Sequence, residues 1–326
     1  MNRSKAAGPG FVNASIKLTI PMLLRRLFAV FCTLIALVPM VVAAICLATL
    51  HRPLFYLIDI FTLPALSLTV VMAVGFLALR QPVAAGACTA AALVFFVAFG
   101  PQALPRNPPA APGKPSLRMV FANLYVYNPH PERLIGFVEA QNPDIIATVE
   151  TSERGHMVLL PSLEARYPYH AYFGQTSILS RFPIANVENN AEPVSLLTAD
   201  ISTPSGIVHL GVTHFAEPLP LGNPKQGSQA QYIESNAEAP GQRNTVIVGD
   251  FNSDFSAFRL QEMAAALGLH ALGAPSGSWP TFLPSFFRIA IDNAMAGDAW
   301  HFSHRAVSRP FGSDHRAIAF TLSPAR

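Results

Sequence analysis

The stretch NTVIVGDFNSD, residues 244–254, runs apolar through Val246, Ile247 and Val248 and then turns polar. Gly249 breaks the run, and Asp250, Asn252 and Asp254 follow at once. Asp, Asn and Gly are ordinary turn formers, so a turn is the plain reading. A carboxylate and an amide two residues apart at the mouth of a buried strand also suit a phosphate or a metal ion. The pattern recurs along the chain. Asn123 follows one apolar run, Glu150 ends another and His214 ends a third. Asp292 lies within RIAIDNAM, and Asp314 and His315 stand in FGSDHRA just before the last apolar run. Singly, Glu150 and His214 read equally well as solvated strand ends. Repeated at successive strand ends, these residues point to one shared site. Carboxylate and amide oxygens suit a hard divalent cation. A histidine held by a carboxylate has a fixed tautomer and a stabilised imidazolium.

Strands alternating with helices would position these groups. LRMVFANLYVYN reads as a strand running into a loop, PERLIGFVEAQN as a helix, and PDIIATVE as a short buried strand. TSILSRFPIANVE and EPVSLLTADIST read as neighbouring strands, and GIVHLGVTHF alternates up to His214. SAFRLQEMAAALGL places apolar residues at 258, 260, 263, 264 and 267, the period of an amphipathic helix. Asp254 reads as the cap of that helix. Arg181 reads as structural, and Trp279 as either core or the rim of the site.

In this order, FANLYVYN, PDIIATVE, SILSRFPI, GVTHF, VGDFNSD, IAIDNAM and GSDHRAIAF resemble the motifs of the endonuclease/exonuclease/phosphatase superfamily, over most of residues 117–323. The resemblance implies an α/β fold, a four-layer α/β sandwich of two packed mixed sheets flanked by helices. It implies a metal-dependent phosphoesterase. Glu150 would be a ligand for Mg2+ (or Mn2+), with Asn123 and Asp314 close by, as ligands or through water. Asp292 would orient His315 beside the scissile phosphate, and Asp250 would position or deprotonate the attacking water. The family leaves the base open between Asp250 and His315, and the reading here favours Asp250. Asn252 and His214 would donate to the phosphate oxygens. Two departures stand out: the domain lacks the insertions that relatives use to grip DNA, and Asn293 follows Asp292 where many relatives carry an aromatic or a histidine.

The chain has 326 residues and is 13% charged, against about 25% in soluble domains. Residues 1–100 hold seven basic residues and one acidic, and the remainder fifteen basic and eighteen acidic. A mildly acidic polar domain lacks the basic footprint of nucleic-acid binders and argues against tight DNA or RNA binding. Cys32, Cys46 and Cys88 all lie in the first hundred residues, so no disulfide framework or zinc cluster follows.

Three apolar segments, 27–49, 55–79 and 83–100, reach the length of a membrane crossing. The expected order is a cytoplasmic segment 1–26, a three-span anchor 27–100, a Pro-rich linker 101–116 and a catalytic domain 117–326. Arg3, Lys5, Lys17, Arg25 and Arg26 precede the first span, which sets the amino terminus in the cytoplasm by the positive-inside rule. Three crossings then place the domain outside, at the inner (plasma) membrane. The linker, extended at about 3.1 Å per residue, keeps it close to the bilayer. The layout also resembles that of membrane-anchored members of the superfamily, which implies a lipid-linked pyrophosphate as one candidate substrate. The expected partners are the bilayer and a phosphorylated substrate.

Overall fold

The computed structural model describes residues 22–48, 56–219, 225–236 and 243–326. Arg3, Lys5 and Lys17, used above for orientation, lie outside the described residues.

Runs rich in Val, Ile and Ala form strands covered on both faces, as in Ile145–Val149 (β2), which is buried throughout. Six strands make one sheet: Trp300–Val307 (β11), Ile318–Pro324 (β12), Leu117–Asn123 (β1), β2, Thr176–Ser180 (β4) and Tyr169–Phe173 (β3), in that spatial order. The second sheet runs Ile184–Asn190 (β5), Ser195–Thr203 (β6), Gly206–His214 (β7), Thr245–Asp250 (β8), Asp292–Gly297 (β10) and Leu269–Ala271 (β9). Each sheet has one parallel pair, β1 with β2 and β7 with β8, among antiparallel neighbours. The sheets pack face to face through Phe121, Ile178, Leu210, Val248, Phe320 and Leu322. Helices Arg133–Gln141 (α5) and Glu153–Leu163 (α6) cover the outer face of the first sheet. Lys225–Asn236 (α7) and Phe258–Leu267 (α8) cover that of the second. These are the two mixed sheets flanked by helices that the motifs imply.

The amino-terminal region is helical: Met22–Ala48 (α1), Tyr56–Ile60 (α2), Thr62–Ala78 (α3) and Pro82–Ala103 (α4). Cys32 and Ala36 of α1 pack on Ala84, Ala85 and Cys88, and Ala43 and Cys46 pack on Ala91 and Phe95, so α1 and α4 run in the same direction. Small Ala and Cys side chains allow the close approach common between membrane helices.

The expectation of three spans needs correcting. Among the described residues, two helices are long and apolar enough to cross a membrane, Met22–Cys46 and Pro82–Ala103. The middle segment breaks at Phe61, whose N–H turns back to Ile58 O (3.2 Å), and leaves α3 with 17 residues. Its first turns are occupied by the polar domain. Ile60 packs with Ala257, Ile289 and Ile291, and Ser67 Oγ donates to Phe286 O (2.6 Å) in the 3₁₀ turn Ser285–Phe287.

Residues 101–116 do not stand free as a spacer. Pro101 to Ala103 complete α4. Buried Gln102 donates to Ala274 O (3.4 Å) and accepts from Phe255 N (2.7 Å). Asn107 exchanges two hydrogen bonds with the Phe302 backbone, and Ala110 bridges Ala325 beside β12.

Candidate active site

Strand register alone assembles half of the site. His214 pairs with Asp250 across β7 and β8, and Asp250 pairs with Asp292 across β8 and β10. Neighbouring strands lie about 4.8 Å apart, so the three side chains stand in one row at the edge of the second sheet. The first sheet supplies Asn123 at the end of β1 and Glu150 just past β2. The loop before β12 supplies Asp314 and His315.

The close approach of β7 and β8 explains the glycine in VGDFN. A Cβ on Gly249 would lie 2.2 Å from Thr213 O. Glu150 and Asn252 hold left-handed backbone, φ +51° and +46°. That conformation is costly for a residue other than Gly or Asn, and Glu150 in it is the kind of local strain that gathers at working sites.

Asn123 is fully buried and bridges the two sheets. Its Nδ2 donates to Glu150 Oε1 (2.8 Å) and Asp250 Oδ2 (2.9 Å), and its Oδ1 accepts from Tyr125 N (2.8 Å). His214 Nε2 lies 3.6 Å from Glu150 Oε1 and 3.7 Å from Asp250 Oδ2. His315 Nδ1 is 2.8 Å from Asp292 Oδ2, which leaves Nε2 facing Asp250 Oδ2 at 3.7 Å and Asp314 Oδ1 at 4.0 Å. Asn252 N–H donates to Asp250 Oδ1 (2.8 Å), while its side-chain amide donates to Phe215 O (2.8 Å). The Asn252 side chain therefore spends one N–H on holding the loop rather than on the pocket.

Burial sets the proton balance. Asp250 is 1% exposed and its carboxyl is pushed up, first by desolvation, against the opposing pull of His315 and with a push from Asp292. For His315, burial favours the neutral ring, but Asp292, Asp250, the hydrogen bond to Asp292 and Asp314 outweigh it and hold the ring at about 10. At neutral pH His315 is thus an imidazolium with a donor aimed at the pocket, and Asp250 is the better proton acceptor.

Two overlapping groups offer ligand atoms within 4.8 Å of one another: Glu150, His214 and Asp250, and Asp250, Asp292 and His315. Asp292 Oδ1 and Asp314 Oδ1 are buried without a hydrogen-bond partner. An oxygen-rich set with orphaned carboxylate oxygens fits a hard divalent cation. Asp292 already holds His315, so the first group is the better fit, with Asp314 on the far side of His315.

Eight residues picked from the sequence, Asn123, Glu150, His214, Asp250, Asn252, Asp292, Asp314 and His315, thus gather at one end of the sandwich. Asp254 is not the helix cap: Ala257 takes that position, and Asp254 Oδ1 accepts from Ser256 N (2.9 Å) in a turn two residues ahead of it. Arg181 is structural, paired with Asp144 (3.3 Å) and stacked over Tyr167. Trp279 is both core and rim, with its ring in the cluster around Ile60 and its Nε1 donating to Asp314 Oδ2 (3.0 Å).

Two supporting residues were missed. Ser313 Oγ donates to Asn123 O (2.9 Å) and accepts from His315 N (3.0 Å), so it ties the loop before β12 to the end of β1 behind the site. Ser278 Oγ accepts from Asp292 N (3.3 Å). The Ser-x-His spacing in GSDHRA carried a signal for Ser313, the hydroxyl turn it makes. Ser278 had none.

The profile of the Endonuclease/Exonuclease/phosphatase family matches residues 120–315. No curated protein sequence matches the chain. Among solved structures, D. rerio TDP2 complexed with single strand DNA product is similar at 14% identity and a TM-score of 0.51, covering 64% of this chain and 99% of that one. TDP2 from Caenorhabditis elegans is similar at 18% identity and a TM-score of 0.50, covering 64% of this chain and 74% of that one. At these identities the likeness is one of fold. The matched residues run from β1 to His315 and enclose every group of the pocket, and the chain belongs to the endonuclease/exonuclease/phosphatase family, a family of divalent-metal-dependent hydrolases of phosphate esters.

Proposed function

We propose that this protein is a membrane-anchored phosphoesterase that hydrolyses a phosphate ester or pyrophosphate at the extracytoplasmic surface of the membrane. The observation that carries the reading is the convergence of Glu150, His214, Asp250 and the Asp292–His315 pair in one pocket. Asp250, its carboxyl raised by burial, takes a proton from the attacking water. The His315 imidazolium, fixed by Asp292, donates from Nε2 to a phosphoryl oxygen. His214 and the remaining Asn252 N–H are placed to donate beside it. Asn123 keeps the Glu150 and Asp250 carboxylates from turning away. Glu150 and Asp250, the carboxylates of the first group, would hold a divalent ion, magnesium or manganese, leaving His214 as a donor; the ion when bound would offset phosphoryl charge and support the leaving oxygen.

Membrane anchorage is supported by α1 and α4. Their parallel packing requires a return path between them. With Arg25 and Arg26 at the cytoplasmic end of α1, the parallel α4 would run outward as well and set the domain outside. A reporter fused after Arg326 is expected to be active only on that side.

The order of apolar helices followed by this domain is similar to that of the teicoplanin-resistance membrane protein, which supports a lipid-carrier pyrophosphate as the substrate. Phosphate release from undecaprenyl pyrophosphate with magnesium, abolished by chelator, is the expected result. No release, together with nicking of plasmid DNA, would reverse the choice in favour of a surface nuclease. That second reading is favoured by the DNA product named in the D. rerio structure and opposed by the acidic domain.

A further inference from the structure

Three arginines near the reaction centre have no acidic partner. Arg288, Arg305 and Arg316 form no ion pair among the described residues, although Arg288 is only 9% exposed. Arg288 Nε and Nη1, Arg305 Nε and Nη2, and Arg316 Nε are buried donors without an acceptor. A guanidinium held in that state is costly unless an anion meets it.

All three pack around one strip, residues 276–281. Arg305 Nη1 donates to Ser276 Oγ (3.4 Å), and Arg316 Nη2 donates to Thr281 O (2.8 Å). Arg288 is pressed so close that a Cβ on Gly277 would lie 2.1 Å from its carbonyl carbon. The same strip touches the pocket through Ser278 on Asp292 and Trp279 on Asp314. The charges feel one another. Burial chiefly, and Arg288 in addition, push Arg305 down to about 10 against the pull of Asp292, and Arg316 is lowered by burial and by Arg288. Asp292, the carboxylate that pulls on Arg305, is engaged by His315 through Oδ2.

We propose that Arg288, Arg305 and Arg316 form an oxyanion subsite that takes a second phosphate group of the substrate, next to the one being hydrolysed. This deepens the phosphoesterase reading and rests on it. Forked guanidinium donors match phosphate oxygens two at a time. The substrate class is then a diphosphate rather than a simple phosphodiester. The carrier of that diphosphate is either a lipid or a soluble group, since the arginines recognise the shared phosphate.

The test uses the full chain in detergent. Inorganic pyrophosphate is titrated calorimetrically with divalent ions removed by chelator. Arg288→Gln and Arg316→Gln are each expected to weaken its binding by about tenfold or more, and Glu150→Ala to leave it within about threefold. Arg288→Lys, which keeps the charge but loses the fork, is expected to bind pyrophosphate more weakly than wild type and more tightly than Arg288→Gln. Should Arg288→Gln fail to fold, Arg316→Gln decides alone.

In turnover, the variants are expected to raise KM for a diphosphate with little change in kcat, and to leave bis(p-nitrophenyl) phosphate unaffected. Farnesyl diphosphate and ADP present the same diphosphate on an apolar and a polar carrier; KM is expected to rise for both in the variants, and the one with the higher wild-type kcat/KM identifies the carrier. Unchanged pyrophosphate affinity in folded Gln variants overturns the subsite, as does an equal loss with bis(p-nitrophenyl) phosphate. If no substrate turns over at all, the phosphoesterase reading falls, and the pyrophosphate titration still decides whether the arginines bind an oxyanion.

Discussion

The Asp292–His315 pair is the residue-scale centre of this pocket. Asp292 at Nδ1 and Asp250 at Nε2 lie nearest the ring, with Asp314 next at 4.0 Å, and together they overcome its burial. Replacing His315 with Ala removes the donor and the partner of both acids. Hydrolysis is expected to fall by about 10²–10⁴-fold, with KM for substrate changing less, measured by phosphate release on protein with an unaltered melting temperature. Asn123 acts differently, since it touches both Glu150 and Asp250. Asn123→Ala leaves both carboxylates without the donor that orients them, and weaker binding of the divalent ion is expected by calorimetry, with activity partly recovered at higher metal concentration.

Asp254 offers a pH test away from this centre. Its carboxyl is pushed well up, chiefly by burial, with Ser256 opposing and Asp59 adding to it. A folded pKa above the unfolded value means that the native state holds the proton more tightly. The associated stability is complete below about pH 3.9 and is lost as pH rises through the folded value. Asp254→Asn keeps the acceptor for Ser256 N–H and cannot ionise. Its melting temperature is expected to match wild type near pH 4 and to exceed it increasingly toward pH 8. A constant gap across that range would remove burial of the charge as the cause.

At the scale of elements, the site depends on β7, β8 and β10 staying in register. Gly249 lets β8 approach Thr213. Gly249→Ala forces the strands apart and is expected to cost about 1–3 kcal/mol, read from denaturant unfolding, and to lower kcat by displacing Asp250 from His214 and Asp292. Much of this was legible in the sequence, because the strands are short apolar runs that each end in a polar group. A period of two and an abrupt polar stop are local properties. Ser278 and the arginine cluster were not legible, because their meaning arises where a loop folds back on two distant strands. The Asp254 cap was misread for a related reason. Asp and Asn suit caps and turns equally, and only the backbone of Ala257 decided between them. The middle span was overcounted because hydropathy does not register that Ile60 and Ser67 are engaged by the polar domain.

For the whole molecule, the amino-terminal helices and the α/β domain meet along a seam rather than through a free tether. Gln102 joins the end of α4 to Phe255 and Ala274 with both ends of its amide. Truncation to Ala leaves a buried N–H and a buried carbonyl unpaired, at a cost of about 1–3 kcal/mol. A lower melting temperature in detergent and faster proteolysis between α4 and β1 are expected. If Gln102→Ala matches wild type in both measurements, the seam contributes nothing to holding the two parts together.

The contact of Ser67 with the Phe286 carbonyl has a kinetic consequence. It fixes the loop carrying Phe282 and Phe286, both exposed, against a helix of the anchor. With those helices in a bilayer, as proposed, an enzyme held this way would sample a plane, not a volume. For a lipid-borne substrate, turnover would then follow the mole fraction of substrate in the surface. Diluting mixed micelles with detergent, at fixed bulk amounts of enzyme and substrate, would slow the reaction.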